Sequence, residues 1–367
     1  MNREASLIVS ERREEQAALG APPSLFVEVR RGAITESRHH GHLSVLDGEG
    51  RALFSKGAPE TVTYLRSSAK PQQVIPLITT GAADRFRFTG RELAVACGSH
   101  NGEAEHRETV ASMLEKIGLD ETALRCGAHE PYGEEAAEEL KRRGEKPSAL
   151  HNNCSGKHAM MLALAVHLKA SVEDYERFEH PVQQLIARTV AQFADARVEE
   201  MGIGIDGCAA PNFAVPVHSM ALMYARLVRP PLWFDEATRE ACGRVVSAMM
   251  AHPEMVEGRG ELDTSLMKAC GGSLVSKVGA EGVYTAGVLP CESFPEGLGL
   301  AFKIEDGDKG DRARSPLAVE VLRQLGVINE REMGELQEFA RKVIRNHRGD
   351  RVGESAAVLD LRNEQRS

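Results

Sequence analysis

The feature that most constrains the fold is a long alternation of apolar and polar residues near the start of the chain. Residues 25–57, LFVEVRRGAITESRHHGHLSVLDGEGRALFSKG, alternate in this way and are interrupted by the turn sequence DGEG. Because successive side chains of a strand point to opposite faces, the pattern predicts an antiparallel strand meander. Two later segments, SLVSKVGAEGVYTAGVL and LGLAFKIEDGD, predict further strands.

Helical patterns occupy most of the chain between these strands. Polar turns precede apolar helical stretches at SSAKPQQ, HNNCSGKHAMMLALAVHL and GIDGCAAPNFAVPVHS. Further helices are predicted over 181–193, 235–252 and 316–325, whereas ELAVAC predicts a short strand that leads into a loop. The expected fold class is therefore α/β or α+β, an antiparallel sheet with flanking helices. We expect residues 23–367 to form one domain after a loose, charged leader over 1–22.

Composition excludes two classes of partner. The 367 residues carry a net charge of −9 with acidic and basic residues interspersed, so no basic surface for nucleic acid is expected. No apolar run approaches the ~20 residues of a membrane span, and the first residues lack the apolar core of a signal peptide. Seven cysteines, an odd number, favour reduced thiols over a disulfide framework. We therefore expect a cytoplasmic protein. We also expect it to act on a small molecule and to form a homodimer, two expectations that do not come from composition.

The stretch YLRSSAKPQQ carries the first candidate for catalysis. Ser67 and Lys70 are three residues apart, so they share one face of the helix that is predicted to begin here. A serine at a helix start is commonly only a cap, and a lysine there is commonly solvated. Alternatively, a neutral lysine takes the proton of the serine hydroxyl, which requires a lysine pKa lowered by burial or by a second cation. Lys303, in AFKIEDGD, is a candidate for that second cation.

Two polar turns suggest a metal site. Cys154 in NNCSGKH and Cys208 in GIDGCAAPN each lie at the entrance to a helix, and we expect them to meet in space. Two thiolates together with the amine of Lys157 make a zinc site with an open position for water or substrate. Two buried free thiols are the alternative. A third turn, CGSHNGE, brings Ser99 and His100 to the end of a predicted element.

Taken in order, these segments are similar to one enzyme family. The segments LRSSAKPQQ, ACGSHNGEAEH, LRCGAHEP, NNCSGKHAMMLA, HPVQ, GIDGCAAPNFAVP, HPEMVEGRGELDT and AFKIEDGD resemble the thermolabile, inducible L-asparaginase family first seen in Rhizobium. The resemblance runs from about Leu25 to beyond Asp308. It implies hydrolysis of L-asparagine to L-aspartate and ammonia, on a fold similar to serine β-lactamases and Ser-Lys glutaminases. The chain lacks the TGGT motif of the asparaginases that use a threonine nucleophile.

The resemblance also implies roles for individual residues. Two Ser-Lys pairs are implied, Ser67 with Lys70 and Ser99 with Lys303. Which serine is acylated is open at this stage; we favour Ser99, because we expect the loop around it to offer free N–H groups to an oxyanion. The resemblance implies a zinc site whose ligands are Cys154, Lys157 and Cys208.

Further matches to the family concern substrate binding. Arg66, Asp206 and His158 match family positions. Arg66 suits the α-carboxylate of L-asparagine and Asp206 its α-ammonium, with a surface ion pair and a turn-forming aspartate as the alternatives. His100 is also expected to contact substrate. The alternatives for function are a Ser-Lys glutaminase or another serine amidohydrolase, including a protein acylated by β-lactams, and a zinc-stabilised amino-acid binding protein.

Overall fold

The computed structural model describes residues 21–362. The predicted leader therefore lies almost wholly outside the described residues. The strands, in chain order, are β1 (Ser24–Arg31), β2 (Ile34–Asp47), β3 (Ala52–Lys56), β4 (Val62–Tyr64), β5 (Gly202–Ile205), β6 (Pro211–Pro216), β7 (Leu274–Gly279), β8 (Val283–Val288), β9 (Leu298–Ile304), β10 (Arg341–Arg345) and β11 (Arg351–Ala357).

The helices alternate with these strands over the middle of the chain. In chain order they are α1 (Lys70–Thr79), α2 (Ala82–Arg85), α3 (Gly90–Ala96), α4 (Ala104–Lys116), α5 (Glu134–Arg143), α6 (Ser155–Leu168), α7 (Pro181–Ala194), α8 (Val217–Val228), α9 (Glu236–Ala251), α10 (Pro253–Val256), α11 (Leu262–Ala269), α12 (Arg314–Gln324), α13 (Glu330–Glu335) and α14 (Gln337–Ala340). A 3₁₀ turn, Arg66–Ala69, leads directly into α1.

An eight-stranded sheet brings the two ends of the chain together. Its order is β10-β11-β1-β2-β9-β8-β7, with β3 paired to β2, and all of its pairings are antiparallel. The predicted meander and late strands are confirmed, and so is the fold class of an antiparallel sheet with flanking helices. A second sheet of three short strands, β4-β6-β5, lies beside the start of the 3₁₀ turn. The strands β10 and β11 have no counterpart in the prediction.

The helix α1 lies at the centre of the helical layer. Every residue from Lys70 to Ile78 is buried, and α1 packs against α6, α7 and α9. Pro71 occupies the first turn, where its missing N–H breaks no helical hydrogen bond. Lys70 therefore enters the core as the first residue of a buried helix, which is a costly position for a charge.

The segment ELAVAC is helical, and the prediction of a strand there is wrong. Residues Gly90–Ala96 form α3, whose start is fixed by a reciprocal capping arrangement between Thr89 and Glu92. The Thr89 side chain accepts from the Glu92 N–H, and the Glu92 carboxylate accepts from the Thr89 N–H. A short apolar run does not distinguish a buried helix from a buried strand. Here the Thr89–Glu92 cap favours the helix.

Candidate active site

A strained backbone places the first serine. Arg66 has a φ of 52°, in the left-handed region that costs a residue with a side chain of order 1–3 kcal/mol. Its N–H donates to Asn212 Oδ1 at 3.0 Å, and its side chain pairs with Asp206. Ser67 follows and lines an open cavity, whereas Ser68 is fully buried and donates to the Leu65 carbonyl. The cavity therefore has access to Ser67 and not to Ser68.

The buried amine of Lys70 contacts the second serine. Lys70 Nζ lies 2.9 Å from Ser99 Oγ and donates to the Gly98 carbonyl at 2.5 Å. Burial lowers the pKa of Lys70, and the ammonium groups of Lys157 and Lys277 lower it further, against the opposing effect of the thiols of Cys154 and Cys208. A lysine with a lowered pKa has a larger neutral fraction and can accept a proton from a hydroxyl.

The loop that carries Ser99 is paired with the segment after α10. Ser99 N–H donates to the Val256 carbonyl at 2.7 Å and Asn101 N–H donates to the Glu257 carbonyl at 2.8 Å. Gly98 is required there, because a Cβ atom at this position would lie 2.4 Å from the Met255 carbonyl oxygen. His100 N–H donates to the Asn153 carbonyl at 3.2 Å. The expectation of free N–H groups in this loop is therefore wrong, because all three are already used.

One cavity of about 260 Å³ contains both serines. The cavity is lined in part by Ser67, Ser99, Glu257 and Arg314. The end of the edge strand β7 lines it as well, together with Ala280, the residue after that strand. Among the described residues, no acceptor is bonded to the Ala280 N–H. Close packing holds this strand end against the 3₁₀ turn, since a Cβ atom at Gly279 would lie 3.0 Å from the Leu65 carbonyl oxygen.

A buried ion pair lies behind the cavity. Lys277 Nζ and Asp263 Oδ2 are 3.0 Å apart, and both side chains are fully buried. Asp263 also accepts from Ser276 Oγ at 2.7 Å and from the Val278 N–H at 2.9 Å, so both of its oxygens are bonded. Lys277 was not singled out by sequence reasoning. The available signal was a lysine inside the otherwise apolar strand SLVSKVG, since lysine is rarely buried without a partner.

The structure brings Lys303 to a different environment from Lys70. Within residues 21–362, Lys303 Nζ donates to the carbonyls of Glu281 at 2.5 Å and Ile304 at 2.7 Å, and not to Ser99. Burial lowers its pKa, against the opposing carboxylates of Glu305, Glu281 and Asp306. The implied hydrogen-bonded pairing of Ser99 with Lys303 is therefore replaced by the pairing of Ser99 with Lys70. A catalytic role for Lys303 stays a prediction.

Arg66 and Asp206, the two residues predicted to bind the charged ends of the substrate, pair with each other. Arg66 Nε donates to Asp206 Oδ1 at 3.0 Å, and the Nη2 to Oδ1 distance is also 3.0 Å. Glu281 lies 3.8 Å from the other end of the guanidinium. Each of the predicted substrate contacts therefore already has a protein partner, and the assignment stays a prediction.

His100 supports the loop from inside the protein. It is fully buried, its Nε2 lies 2.8 Å from Ser155 Oγ, and its Nδ1 accepts from the Gly102 N–H at 3.1 Å. The ring stacks on His106 with centroids 4.8 Å apart. Burial holds the pKa of His100 well below its usual range, so the ring is neutral. Its predicted contact with substrate has no support in this geometry and stays a prediction.

Cys154, Lys157 and Cys208 form one buried cluster, as the two polar turns predicted. Lys157 Nζ lies 3.2 Å from Cys208 Sγ, and the thiol of Cys154 interacts with Cys208. The interaction with Cys154 lowers the pKa of Cys208, and Lys157 and His158 lower it further. Together they outweigh the opposing effect of burial, so the pKa of Cys208 lies far below its ordinary value. Burial lowers the pKa of Lys157, but the sulfurs of Cys208 and Cys154 outweigh it, and the net shift is upward. The Lys157 amine beside Cys208 Sγ therefore favours a thiolate–ammonium pair in this cluster.

The donor set of this cluster fits zinc. It offers two sulfurs and one nitrogen, and His158 adds an Nε2 with no hydrogen bond of standard geometry among the described residues. The other nitrogen of His158, Nδ1, lies 2.8 Å from the Tyr175 hydroxyl. In the part of the chain that the structure describes, no group of three His, Cys, Asp or Glu side chains is arranged to hold a metal ion, so a zinc site here needs the lysine. All seven cysteines are free, as predicted.

A buried lysine bonded to a serine hydroxyl in an open cavity defines the class of Ser-Lys hydrolases. Residues 27–357 match the family model described as L-asparaginase II. The chain belongs to this family, which confirms the resemblance predicted from the motifs and makes the protein an amidohydrolase. No curated protein matches the chain.

Several solved structures match this chain at low sequence identity. A probable glutaminase from Bacillus subtilis, complexed with 6-diazo-5-oxo-L-norleucine, is 14% identical over 78% of this chain and 84% of its own, with a TM-score of 0.38. A protein named Mglu is 13% identical over 78% and 67%, with a TM-score of 0.44. A putative β-lactamase from Bacteroides dorei is 13% identical over 88% and 98%, with a TM-score of 0.39.

No helix among residues 21–362 combines the length and apolar character that a membrane span requires.

Proposed function

We propose that the protein hydrolyses L-asparagine to L-aspartate and ammonia through an acyl-enzyme. The observation that carries the proposal is the 2.9 Å contact between the buried Lys70 amine and Ser99 Oγ, at a cavity that Ser67 also lines. Membership of the L-asparaginase II family supports the choice of substrate. The cavity, about 260 Å³, suits a small molecule such as a free amino acid.

Ser67 is the nucleophile in this proposal, and Ser99 connects it to the base. Among the described residues the Ser67 hydroxyl has no hydrogen-bond partner, so it is free to point at a substrate carbonyl. In the proposed step the Ser67 hydroxyl first turns within the shared cavity to reach Ser99 Oγ, and its proton then passes through the Ser99 hydroxyl to neutral Lys70 as the Oγ–carbon bond forms. This order of roles reverses the initial preference for Ser99, because that preference relied on N–H groups that are already engaged.

The remaining steps use the same groups. The Ala280 N–H, which lies on the cavity wall and bonds to no described residue, donates to the carbonyl oxygen as it becomes an oxyanion. Lys70 returns its proton to the amide nitrogen, the carbon–nitrogen bond breaks, and ammonia leaves. Water then attacks the ester and Lys70 again accepts a proton. The ester bond to Ser67 breaks, Lys70 returns the proton through Ser99 to Ser67 Oγ, and L-aspartate is released.

We also propose that Cys154, Lys157 and Cys208 hold zinc. When bound, the metal supplies a Lewis acid that polarises or orients a polar group of the substrate, since the serines already provide the nucleophile. The thiolate character of Cys208 supports this choice of ligands. Lys157 must lose its proton to bind, which makes zinc binding compete with protonation. The residues Arg66 and Asp206 remain proposed contacts of the substrate, and the homodimer remains proposed.

The test is ammonia release from purified protein with L-asparagine and L-glutamine. We expect turnover on L-asparagine, and loss of turnover in Ser67→Ala. Mass spectrometry of peptides after trapping with a diazo-ketone analogue of asparagine identifies the acylated serine. Label on Ser99 reverses the proposed roles of the two serines. Saturable binding of L-asparagine without ammonia release contradicts the proposed hydrolysis and favours an amino-acid binding protein.

A further inference from the structure

We infer that Glu257 and Arg314 recognise the α-ammonium and α-carboxylate groups of the substrate, an inference that rests on the proposed function of the serine cavity. Both residues line the 260 Å³ cavity that contains Ser67 and Ser99. In their ionised forms they carry opposite charges, as the two ends of a free amino acid require, and a ligand ammonium beside Glu257 favours the ionised form of its carboxyl group. Neither was singled out by the sequence motifs, in which they lie in HPEMVEGRGELDT and in DRARSP.

Glu257 has one carboxylate oxygen fixed by the protein and one that is available. Its Oε2 accepts from the Asp263 N–H at 2.7 Å. Its Oε1 has no hydrogen-bond partner within residues 21–362, and it is not among the polar atoms sealed from solvent. Only 9% of the residue is exposed, so the available oxygen faces the cavity rather than bulk water. A buried carboxylate oxygen without a partner is costly, and a ligand ammonium removes that cost.

Arg314 is held in place while part of its guanidinium remains available. Its Nη1 donates to the Gly279 carbonyl at 2.9 Å and its Nη2 lies 3.2 Å from Asp311 Oδ1. Arginine carries five N–H donors. The Nε of Arg314 is sealed inside the protein, but Nη1 and Nη2 each have a second N–H that no described residue accepts. The contact with Gly279 places the guanidinium beside the strand end that also carries Ala280. A pre-positioned arginine of this kind suits a carboxylate.

The charged groups around Glu257 shift its pKa, but none of them forms a hydrogen bond with its Oε1. Burial, together with the neighbouring carboxylates of Asp263 and Glu261, raises the pKa of Glu257 to about 8, against the opposing cations of Lys277 and Arg314. Lys277 donates to Asp263 and to the Val278 carbonyl. Glu261 accepts from Asn101 Nδ2 at 2.9 Å. Glu261, the other acidic side chain on this wall, also has one bonded oxygen, but it is half-buried, whereas Glu257 is buried.

Backbone pairing fixes the distance from Glu257 to Ser99. The Ser99 and Asn101 N–H groups donate to the carbonyls of Val256 and Glu257, so the loop that carries Ser99 and Glu257 belong to one paired unit. Arg66 and Asp206, by contrast, are bonded to each other. An ammonium on Glu257 therefore requires no ion pair to break, whereas an ammonium on Asp206 competes with Arg66.

The experiment compares three amides in the parent enzyme and in two variants. L-Asparagine carries both charged groups, succinamate lacks the ammonium, and β-alaninamide lacks the carboxylate. In Glu257→Gln we expect the preference for L-asparagine over succinamate, measured as a ratio of kcat/KM, to fall by about tenfold or more. In Arg314→Gln we expect the same fall in the preference over β-alaninamide. Each variant leaves the other preference unchanged.

Three controls establish whether the effects are specific to these two side chains. Glu261→Gln removes a carboxylate from the same wall that already has a partner, and we expect both preferences to survive. Arg314→Lys keeps the charge if Arg314→Gln does not fold, and it is expected to retain a reduced preference over β-alaninamide. Equal losses on all three amides, or a group-specific loss in Asp206→Asn and Arg66→Gln instead, overturns the inference.

A binding measurement distinguishes failure of the inference from failure of the proposed hydrolysis. Calorimetry with L-aspartate, succinate and β-alanine measures recognition without turnover. If the parent releases no ammonia from L-asparagine but binds L-aspartate, and Glu257→Gln and Arg314→Gln weaken that binding about tenfold or more, the hydrolysis is wrong and the recognition stands. If the parent hydrolyses L-asparagine and both variants bind L-aspartate as the parent does, the recognition is wrong and the hydrolysis stands.

Discussion

Lys70 Nζ lies between Ser99 Oγ, at 2.9 Å, and the Gly98 carbonyl, at 2.5 Å, although Lys70 and Ser99 are 29 positions apart in the chain. A neutral amine in this position donates one N–H to the carbonyl and can accept a proton from the hydroxyl with its lone pair. An ammonium can only donate. The neutral Lys70 amine can therefore accept the proton of the Ser99 hydroxyl, and burial favours the neutral amine.

Replacement of Lys70 by methionine tests this role. We expect Lys70→Met to lower kcat by ~100-fold or more, the scale of losing a general base. Because neutral Lys70 is the active form, kcat of the parent should rise with pH toward the alkaline side, and the variant should lose this rise. Steady-state ammonia assays across pH measure both effects. A variant within about threefold of the parent contradicts the role.

Lys303 is tested by the same substitution. A role as the second catalytic lysine predicts a loss in Lys303→Met of ~100-fold, as for Lys70→Met. A hydrogen-bonding role alone, between the carbonyls of Glu281 and Ile304, predicts a loss far below this. We expect the smaller loss, because the hydroxyl of Ser99 is bonded to Lys70 and not to Lys303. An unchanged melting temperature is needed for the comparison.

The buried ion pair should matter for stability. Lys277→Met leaves Asp263 charged in the core, and breaking a buried pair in this way costs about 3–5 kcal/mol of the free energy of unfolding. Urea unfolding measures the loss. The matched control is Arg323→Met, which breaks a partly exposed pair with Glu320 and should cost less than about 1 kcal/mol. Equal effects of the two substitutions would show that the Lys277 pair is not structurally important.

Much of the fold followed from local pattern, and the exceptions have physical causes. Alternation predicted the meander, and helices over 181–193 and 235–252 were found at 181–194 and 236–251. ELAVAC failed because a short apolar run has no distinctive period and the Thr89–Glu92 cap outweighed it. The strands β10 and β11 have half-exposed, charged sequences, and the pairing of β11 with β1 is a long-range contact that local pattern does not contain.

The sequence predicted those residues of the site that lie in polar turns and missed the others. Cys154, Lys157 and Cys208 were found because each lies in a glycine-containing turn, and they do meet. Lys277 was missed because it lies in a buried strand, and Glu257 was missed because no residue of the segment HPEMVEGRGELDT was assigned a role. The pairing of Lys70 with Ser99 was also missed, since three-residue spacing pointed to Ser67 and only the tertiary fold brings Ser99 to the amine.

Zinc binding is tested with one cysteine and one control. Cys208→Ser should reduce bound zinc and raise KM more than it lowers kcat, as expected when a group positions the substrate. Zinc occupancy of the parent should fall as pH drops, because two thiolates and one amine must lose protons to bind. Cys242→Ser, a buried thiol in α9, should keep its zinc. Elemental analysis that finds no zinc in the parent would leave the cluster as a thiolate–ammonium pair.

Glu257 gives the stability of the fold a pH dependence of known sign. Its pKa is raised in the folded state to about 8, from an ordinary value of 4.5, so the folded protein holds this proton more tightly. Its contribution to stability is complete below about pH 4.5 and is lost as pH rises through about 8. Relative to Glu257→Gln, the parent should therefore lose free energy of unfolding over this range. Urea titrations of both proteins at several pH values measure the difference, and parallel curves contradict it.

The last prediction concerns the choice between L-asparagine and L-glutamine, which differ by one methylene. A pocket that only held that methylene apolarly would separate them by ~1–3 kcal/mol. Here the charged end of the substrate is held at Glu257 and Arg314. The pairing of Ser99 with Val256 and of Asn101 with Glu257 fixes the distance to Ser99. The packing of Gly279 against Leu65 holds the turn that carries Ser67 beside the strand end that Arg314 contacts.

A fixed distance between the two ends makes the extra carbon misplace the reacting carbonyl, and a misplacement near 1 Å costs ~100-fold. We therefore expect kcat/KM for L-asparagine to exceed that for L-glutamine by about this factor. Removing the group that holds the α-carboxylate should weaken both the preference for L-asparagine and the affinity. We expect this effect in Arg314→Gln if Arg314 holds the α-carboxylate, and in Arg66→Ala if Arg66 holds it. Comparable kcat/KM values on the two amides in the parent enzyme contradict the fixed-distance account and favour a glutaminase.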